Sequence, residues 1–173
     1  GEPATAMSMS GGTFGSIDAG VHSHGDIGGR AYTLSLSKHQ NSGYREHAER
    51  QADGASGSLS LFESDRARLG LTISQHWTRS DTPGPLAQTV ADTDPRASSP
   101  FYGLDHADDR RSRQSLTGAY ELSPSTTLSG HVTRQFRRSD VTRTLPLTPD
   151  FADTKQRELQ GNSLSATAKL TAD

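Results

Sequence analysis

Between Arg66 and Ser80 the chain alternates strictly, and that alternation limits what it can fold into. Ala67, Leu69, Leu71, Ile73 and Trp77 fall on one side of an extended strand, with Gln75 the only polar residue among them. Arg68, Gly70, Thr72, Ser74, His76 and Thr78 fall on the other. Side chains on a strand point to opposite faces with a period of two, so this stretch is a strand with one apolar and one polar face. An ordinary globular strand has about 5–6 residues, and this one is longer. It reaches the roughly 9–11 tilted residues that cross a bilayer. Its apolar face ends in a tryptophan, where a membrane–water girdle places one.

Seven further segments repeat the design. They are read at 4–12, 17–24, 30–40, 54–63, 112–122, 126–139 and 156–171. Tyr32, Leu34 and Leu36 oppose Thr33, Ser35 and Ser37. Leu164, Ala166, Ala168 and Leu170 oppose Ser165, Thr167 and Lys169. The connections between the eight strands also alternate. Short turns are read at 25–29, 64–65 and 123–125, and long polar ones at 41–53, 81–111 and 140–155. The turn at 11–16 belongs with the long set by parity but is short. Short turns at one end and long loops at the other mark an outer-membrane β-barrel. A soluble β-sandwich or adhesin repeat is the alternative built from the same strands.

Composition favours the barrel. Only 30% of the 173 residues are hydrophobic, against about 45–50% apolar (glycine included) in an ordinary globular domain. A wide barrel with a polar lumen needs only one apolar face per strand. The net charge of −2, from 18 basic and 20 acidic residues, gives no field for nucleic acid. Without cysteine there is neither a disulfide nor a thiolate metal site. No apolar run approaches the roughly 18 residues of a membrane helix. The chain opens Gly1-Glu2-Pro3, with no apolar leader after it. It therefore reads as a piece of a longer precursor.

Few residues invite chemistry. His22 and His24 share a face, and Met7 and Met9 sit on the preceding strand. Together they could hold a soft metal, or the histidines could be polar filler with the methionines on the opposite face. The other five histidines have no zinc-type spacing. Asp108 and Asp109 adjoin Arg110 and Arg111 in what reads as a loop tip, a solvated charge cluster rather than a catalytic pair. No enzyme, cofactor or resident metal is expected.

In order along the chain, several motifs resemble the TonB-dependent outer-membrane receptors of ferric siderophores. The hairpin Met7 to Ser16 resembles the start of their barrel. Ser42-Gly43-Tyr44-Arg45 resembles the DGYR that closes their third strand. Asp81-Thr82-Pro83-Gly84-Pro85-Leu86, followed by Asp94-Pro95-Arg96, resembles their third outer loop. Arg110-Arg111-Ser112 and Leu122-Ser123-Pro124-Ser125-Thr126-Thr127-Leu128 resemble the descent from that loop and the next periplasmic turn.

The resemblance covers nearly the whole chain. It implies an all-β, antiparallel transmembrane barrel of about 22 strands, of which residues 1–173 supply about eight meandering strands, without the plug domain or the remaining strands. An intact eight-strand barrel is the structural rival, and the last strand lacks the terminal aromatic that would favour it. The resemblance also implies a bacterial (Gram-negative) outer-membrane location. The partners it implies are a ferric siderophore or similar chelate, the TonB-ExbB-ExbD energy complex acting through the plug, and outer-membrane lipid with lipopolysaccharide. A passive porin-like or small structural barrel is the alternative function.

Recognition is expected at the outer loops. Arg79, Arg110, Arg111, Arg138 and Arg143 are expected to form a basic rim, with Arg113, Arg134 and Arg137 nearby. Phe101 and Tyr102 could stack on a ligand. Arginine pairs with carboxylate and phosphate in bidentate fashion. The rim therefore suits an anionic chelate, lipopolysaccharide phosphates, or plain solvation.

Overall fold

The computed structural model describes residues 2–148 and 151–172. Eight strands form one antiparallel sheet in sequence order. They are β1 Ala4–Gly11, β2 Ile17–Ile27, β3 Arg30–Asn41, β4 Arg50–Glu63, β5 Ala67–Asp81, β6 His106–Ser123, β7 Thr126–Thr148 and β8 Phe151–Ala172. Between β5 and β6 lie a short helix, α1 (Gln88–Thr93), and a single 3-10 turn at Pro100–Tyr102. The expected all-β meander is therefore present.

Sequence alternation sets the two faces, and register keeps them aligned from strand to strand. Tyr32, Leu59, Leu71, Leu116, Val132 and Ala166 lie side by side across β3 to β8. One residue along, His24, Thr33, Ser58, Thr72, Ser115, Thr133 and Ser165 form a polar row on the opposite face. Hydroxyls bond across that row, Thr33 to Ser58 at 2.6 Å and Ser115 to Thr133 at 2.8 Å. A slip of one residue would exchange the faces of a whole strand.

The apolar band runs obliquely to these rows. On β1 it sits at Met7 and Met9. The row through Met9 begins with Ala19 on β2 but ends at Arg110, Arg138 and Gln160. Towards β8 the band has moved down to the Leu71 row. The drift is about one residue per strand. With a rise of ~3.3 Å per residue and ~4.8 Å between strands, it corresponds to a tilt of roughly 35°, as in a barrel wall.

No second layer covers either face, and none of the described hydrophobic residues is buried. Met7, Met9 and Leu164 are more than 70% exposed. The fully buried side chain is instead a charged one, Asp105, at 1% exposure.

Turn chemistry matches the sequence at the Gly28-Gly29 hairpin. Both glycines have positive φ, 62° and 78°, as a tight two-residue hairpin demands. The Asp26 carboxylate accepts the Gly29 N–H at 2.7 Å.

The connection expected at 140–155 is corrected. β7 and β8 continue through it, paired from Asp140↔Glu158 to Pro146↔Ala152. Pro146 reads as a breaker, yet it sits where the register shifts near the hairpin end, a place that tolerates a residue with no N–H. Pro149 and Asp150 lie outside the described residues. The connection expected at 81–111 also shortens, because His106–Arg111 is already strand. The same holds at 50–53, which opens β4. The strands at that end are therefore longer than the sequence pattern implies, and β7 reaches 23 residues.

This hairpin gives a direct prediction. Backbone amides of residues 142–145 and 154–157 should exchange with deuterium far more slowly than those of 87–93. Exchange at loop rates across 142–145 would return the segment to the expected loop.

Candidate ligand-facing site

Three connections meet at the end of the sheet where β1–β2, β3–β4 and β5–β6 are joined. Arg45 is their clasp. Its Nη1 donates to the Gly84 carbonyl at 2.8 Å, its Nε to the Ala97 carbonyl at 3.0 Å and its Nη2 to the Pro83 carbonyl at 3.3 Å. Arg96 returns the contact, donating from Nε to the Tyr44 carbonyl at 3.2 Å with its guanidinium 5.6 Å from the Tyr44 ring centroid. Phe14, from the β1–β2 connection, meets the same ring edge-on at 5.6 Å. A planar cation with five donors suits such a cluster of carbonyls.

Gly84 must be glycine at this point. Its φ is +67°, and a Cβ there would run into the Tyr102 ring. Asp105 anchors the far end of the loop. Its carboxylate accepts the Thr144 hydroxyl at 2.7 Å, and its carbonyl lies 3.0 Å from His47 Nε2. Arg143 donates to the Thr82 hydroxyl at 2.8 Å. The extension of β7 is thus what holds the β5–β6 connection down.

The expected basic rim divides between two faces. Arg110 and Arg111 are neighbours in β6, so they point to opposite sides. Arg79, Arg110 and Arg138 lie on the face of Leu71 and Trp77, whereas Arg111 and Arg143 lie on the face of Thr72. Phe101 stands exposed on the loop, and Tyr102 packs over Gly84. All five arginines sit in strands, Arg110, Arg111 and Arg143 among them, which the sequence placed in the connections at 81–111 and 140–155.

Asp108 and Asp109 are likewise strand residues rather than a loop tip. Arg111 and Arg137 are direct cross-strand partners on the polar face. Asp109 bridges them, accepting Arg111 Nε at 2.7 Å and Arg137 Nε at 2.8 Å.

A hollow of about 400 Å³ opens further along the polar face, where Gly20 and Gly54 leave space beside Ser37, His76 and Thr78. His39 and Asp18 pair at its edge at 2.6 Å. The alternative of a soft-metal cluster is not realised. Met7 is opposite Val21, so the methionines face away from His22 and His24. Among the described residues no three His, Asp or Glu side chains group as a metal site.

Sequence reasoning missed the roles of Arg45, Arg96, Asp105 and Thr144. The first two did stand in motifs that resembled a receptor family. The structure shows that those motifs, 42–45 on one side and 81–86 with 94–96 on the other, bind each other.

No protein family model matches the chain, and no curated protein matches it by sequence. Among solved structures it is similar to the ferric-catecholate import receptor Fiu from E. coli K12, in an open form, with a TM-score of 0.75 over 98% of this chain. Identity is 13%, and the match spans 30% of that receptor's length. The likeness shows the fold: the open eight-stranded sheet is a stretch of β-barrel wall.

Arg45→Ala should loosen the β5–β6 loop. A hydrogen bond from a charged group contributes about 1.5–3 kcal/mol. Limited proteolysis should then cut within 86–99 well before the wild-type chain is cut there, and unchanged cleavage would count against the clasp.

Asp109→Asn should leave Arg111 and Arg137 opposed without a carboxylate between them, a destabilising arrangement. Amide exchange at 135–139 should therefore be faster in Asp109→Asn than in the wild type, and equal exchange in the two would count against the bridge.

Proposed function

We propose that this chain forms part of the wall of an outer-membrane receptor barrel for active uptake of a scarce, bulky ligand. The ligand class is a ferric siderophore complex, with a catecholate chelate the first to test. The observation that carries the reading is the fold likeness to a ferric-catecholate import receptor across 98% of the chain. A sheet with one apolar face and no described hydrophobic residue buried supports it, because such a face needs hydrocarbon beside it.

In this reading the face of Leu71 meets lipid and the face of Thr72 lines the lumen. Cargo is met at the loop end. Phe101 on the loop, and Arg111 and Arg143 on the lumen face, stand on the cargo's side. Arg79, Arg110 and Arg138 face away from it. The 82–105 loop, held by Arg45, Asp105 and Arg143, presents a preorganised surface, which lowers the ordering cost of binding. Energy arrives through a plug and the TonB-ExbB-ExbD complex, and the chain itself performs no catalysis. The rival is a passive porin-like barrel.

The two readings separate on energy. Cells whose only candidate receptor is the full-length protein should accumulate a ferric-catecholate complex under iron limitation, and should stop when the proton-motive force is dissipated. Uptake that continues regardless would favour the passive barrel. In the same cells Leu71→Arg should lower the amount of assembled, heat-modifiable receptor, since a charge at the bilayer midplane costs about 2–4 kcal/mol. Thr72→Arg should leave it intact. Equal effects of the two would overturn the assignment of faces.

A further inference from the structure

Histidines 22, 24, 39, 76 and 131 all lie on the face of Thr72. Three of them are single. His39 is engaged, its Nδ1 2.6 Å from the Asp18 carboxylate. His76 lies over Gly54, where a Cβ would come within 3.2 Å of its Nδ1. His131 sits between Thr117 and Thr167. His22 and His24 are different. They are two apart on β2, both exposed, with ring centroids 5.9 Å apart and planes tilted by 42°.

One of the two is held in place. Ser35 is opposite His22 on β3, and its Oγ lies 2.8 Å from His22 Nδ1. With that oxygen accepting, Nδ1 carries the ring proton and Nε2 keeps its lone pair. A metal-ligating histidine is oriented in this way, with its other nitrogen donating to an outer partner. The surroundings do not oppose a cation. His22 shares its row with Ala6, Ser35, Ser56 and Ser74, and His24 with Ala4, Thr33, Ser58 and Thr72. From β1 to β5 neither row carries a basic residue. Small and hydroxylated side chains fill both rows, so two imidazoles stacked in one column are more than polar filler.

We propose that His22 and His24 form a two-imidazole site for a borderline divalent cation, Zn2+ or Cu2+, held through His22 Nε2 and a ring nitrogen of His24 and oriented by Ser35. A metal about 2.1 Å from each nitrogen stands roughly 3.2 Å from each ring centroid. At a tetrahedral angle the centroids are then about 5.3 Å apart, and small side-chain rotations of two exposed rings bring them there. Imidazole suits zinc and copper. The thioethers that would favour a softer ion face away, since Met7 is opposite Val21. The pair has no carboxylate to offer Ca2+ or Mg2+, which take oxygen ligands. Two protein ligands leave positions open for water or for donors of a molecule beside the wall. The site goes beyond the uptake reading and does not depend on it, because it needs only that the Thr72 face meets water.

The test uses the full-length receptor in mild detergent, stripped with a chelator and titrated with Cu2+. The wild type should bind one Cu2+ more per chain than H22N/H24N, with nitrogen hyperfine splitting from two imidazoles in its paramagnetic resonance spectrum. H131N should match the wild type. S35A should bind that ion roughly tenfold more weakly. Mg2+ in large excess should not compete. Equal Cu2+ binding by wild type and H22N/H24N, both heat-modifiable, overturns the site, and unchanged affinity in S35A overturns the part given to Ser35. A second measurement needs no variant. Zn2+ should shield His22 and His24 of the wild type from diethyl pyrocarbonate, read by peptide mass spectrometry, without altering His131. Equal modification of His22 and His24 with and without Zn2+ overturns the site as well. A passive barrel in the energy test above leaves each of these outcomes unchanged.

Discussion

A single sheet has no interior of its own, and everything else in this structure follows from that constraint. In a two-layer domain the apolar face of a sheet is buried against a second element. Here none of the described hydrophobic residues is buried, and Met7, Met9 and Leu164 are almost wholly exposed. The backbone ladder satisfies the main chain but gives the Leu71 face nothing to bury against. In the reading proposed above, hydrocarbon on that side and a polar lumen on the other resolve the difficulty without a core. They also explain how 30% hydrophobic residues suffice. The oblique course of the apolar band fits the same picture, since a horizontal bilayer crosses tilted strands at a different residue on each.

The strands and their faces were legible because alternation is a local property, visible over a handful of residues. Tyr32, Leu34 and Leu36 needed no knowledge of their partners. The ends of strands were not legible in the same way. At 140–155 the local signals (Pro146, Pro149, charged residues) pointed to a loop, but pairing partners decided the outcome. Val141, Arg143 and Leu145 have a matching strand to bond with in Arg157, Lys155 and Asp153. Strand ends at 106 and 50 moved for the same reason. A charged residue at the aqueous end of a barrel strand costs little, so polarity no longer marks where pairing stops.

The loop site was legible as pattern but not as mechanism. Arg45 stood out only because its four-residue context resembled a motif. What the residue does depends on carbonyls at Pro83, Gly84 and Ala97, roughly 40–50 positions away along the chain. No periodicity could have supplied those contacts, because a loop's carbonyls become targets only once its turns exist. Gly84 was one such prerequisite, readable as a turn residue yet not as the seat of the Tyr102 ring.

Arg110-Arg111 shows how much depends on the assignment of strand or loop. In a loop the two side chains form one basic rim with their neighbours, available to one ligand. In a strand they are divided by the sheet and have different neighbours. Asp109, one residue earlier, shares the face of Arg111 and accepts from both Arg111 and Arg137, while Arg110 lies on the other face in the row of Asp53 and Trp77. The four arginines opposed across β6 and β7 thus separate into a pair that shares one carboxylate, Asp109, and a pair of which Arg138 has two carboxylate partners, Asp140 and Glu158, and Arg110 has none within 4.0 Å among the described residues.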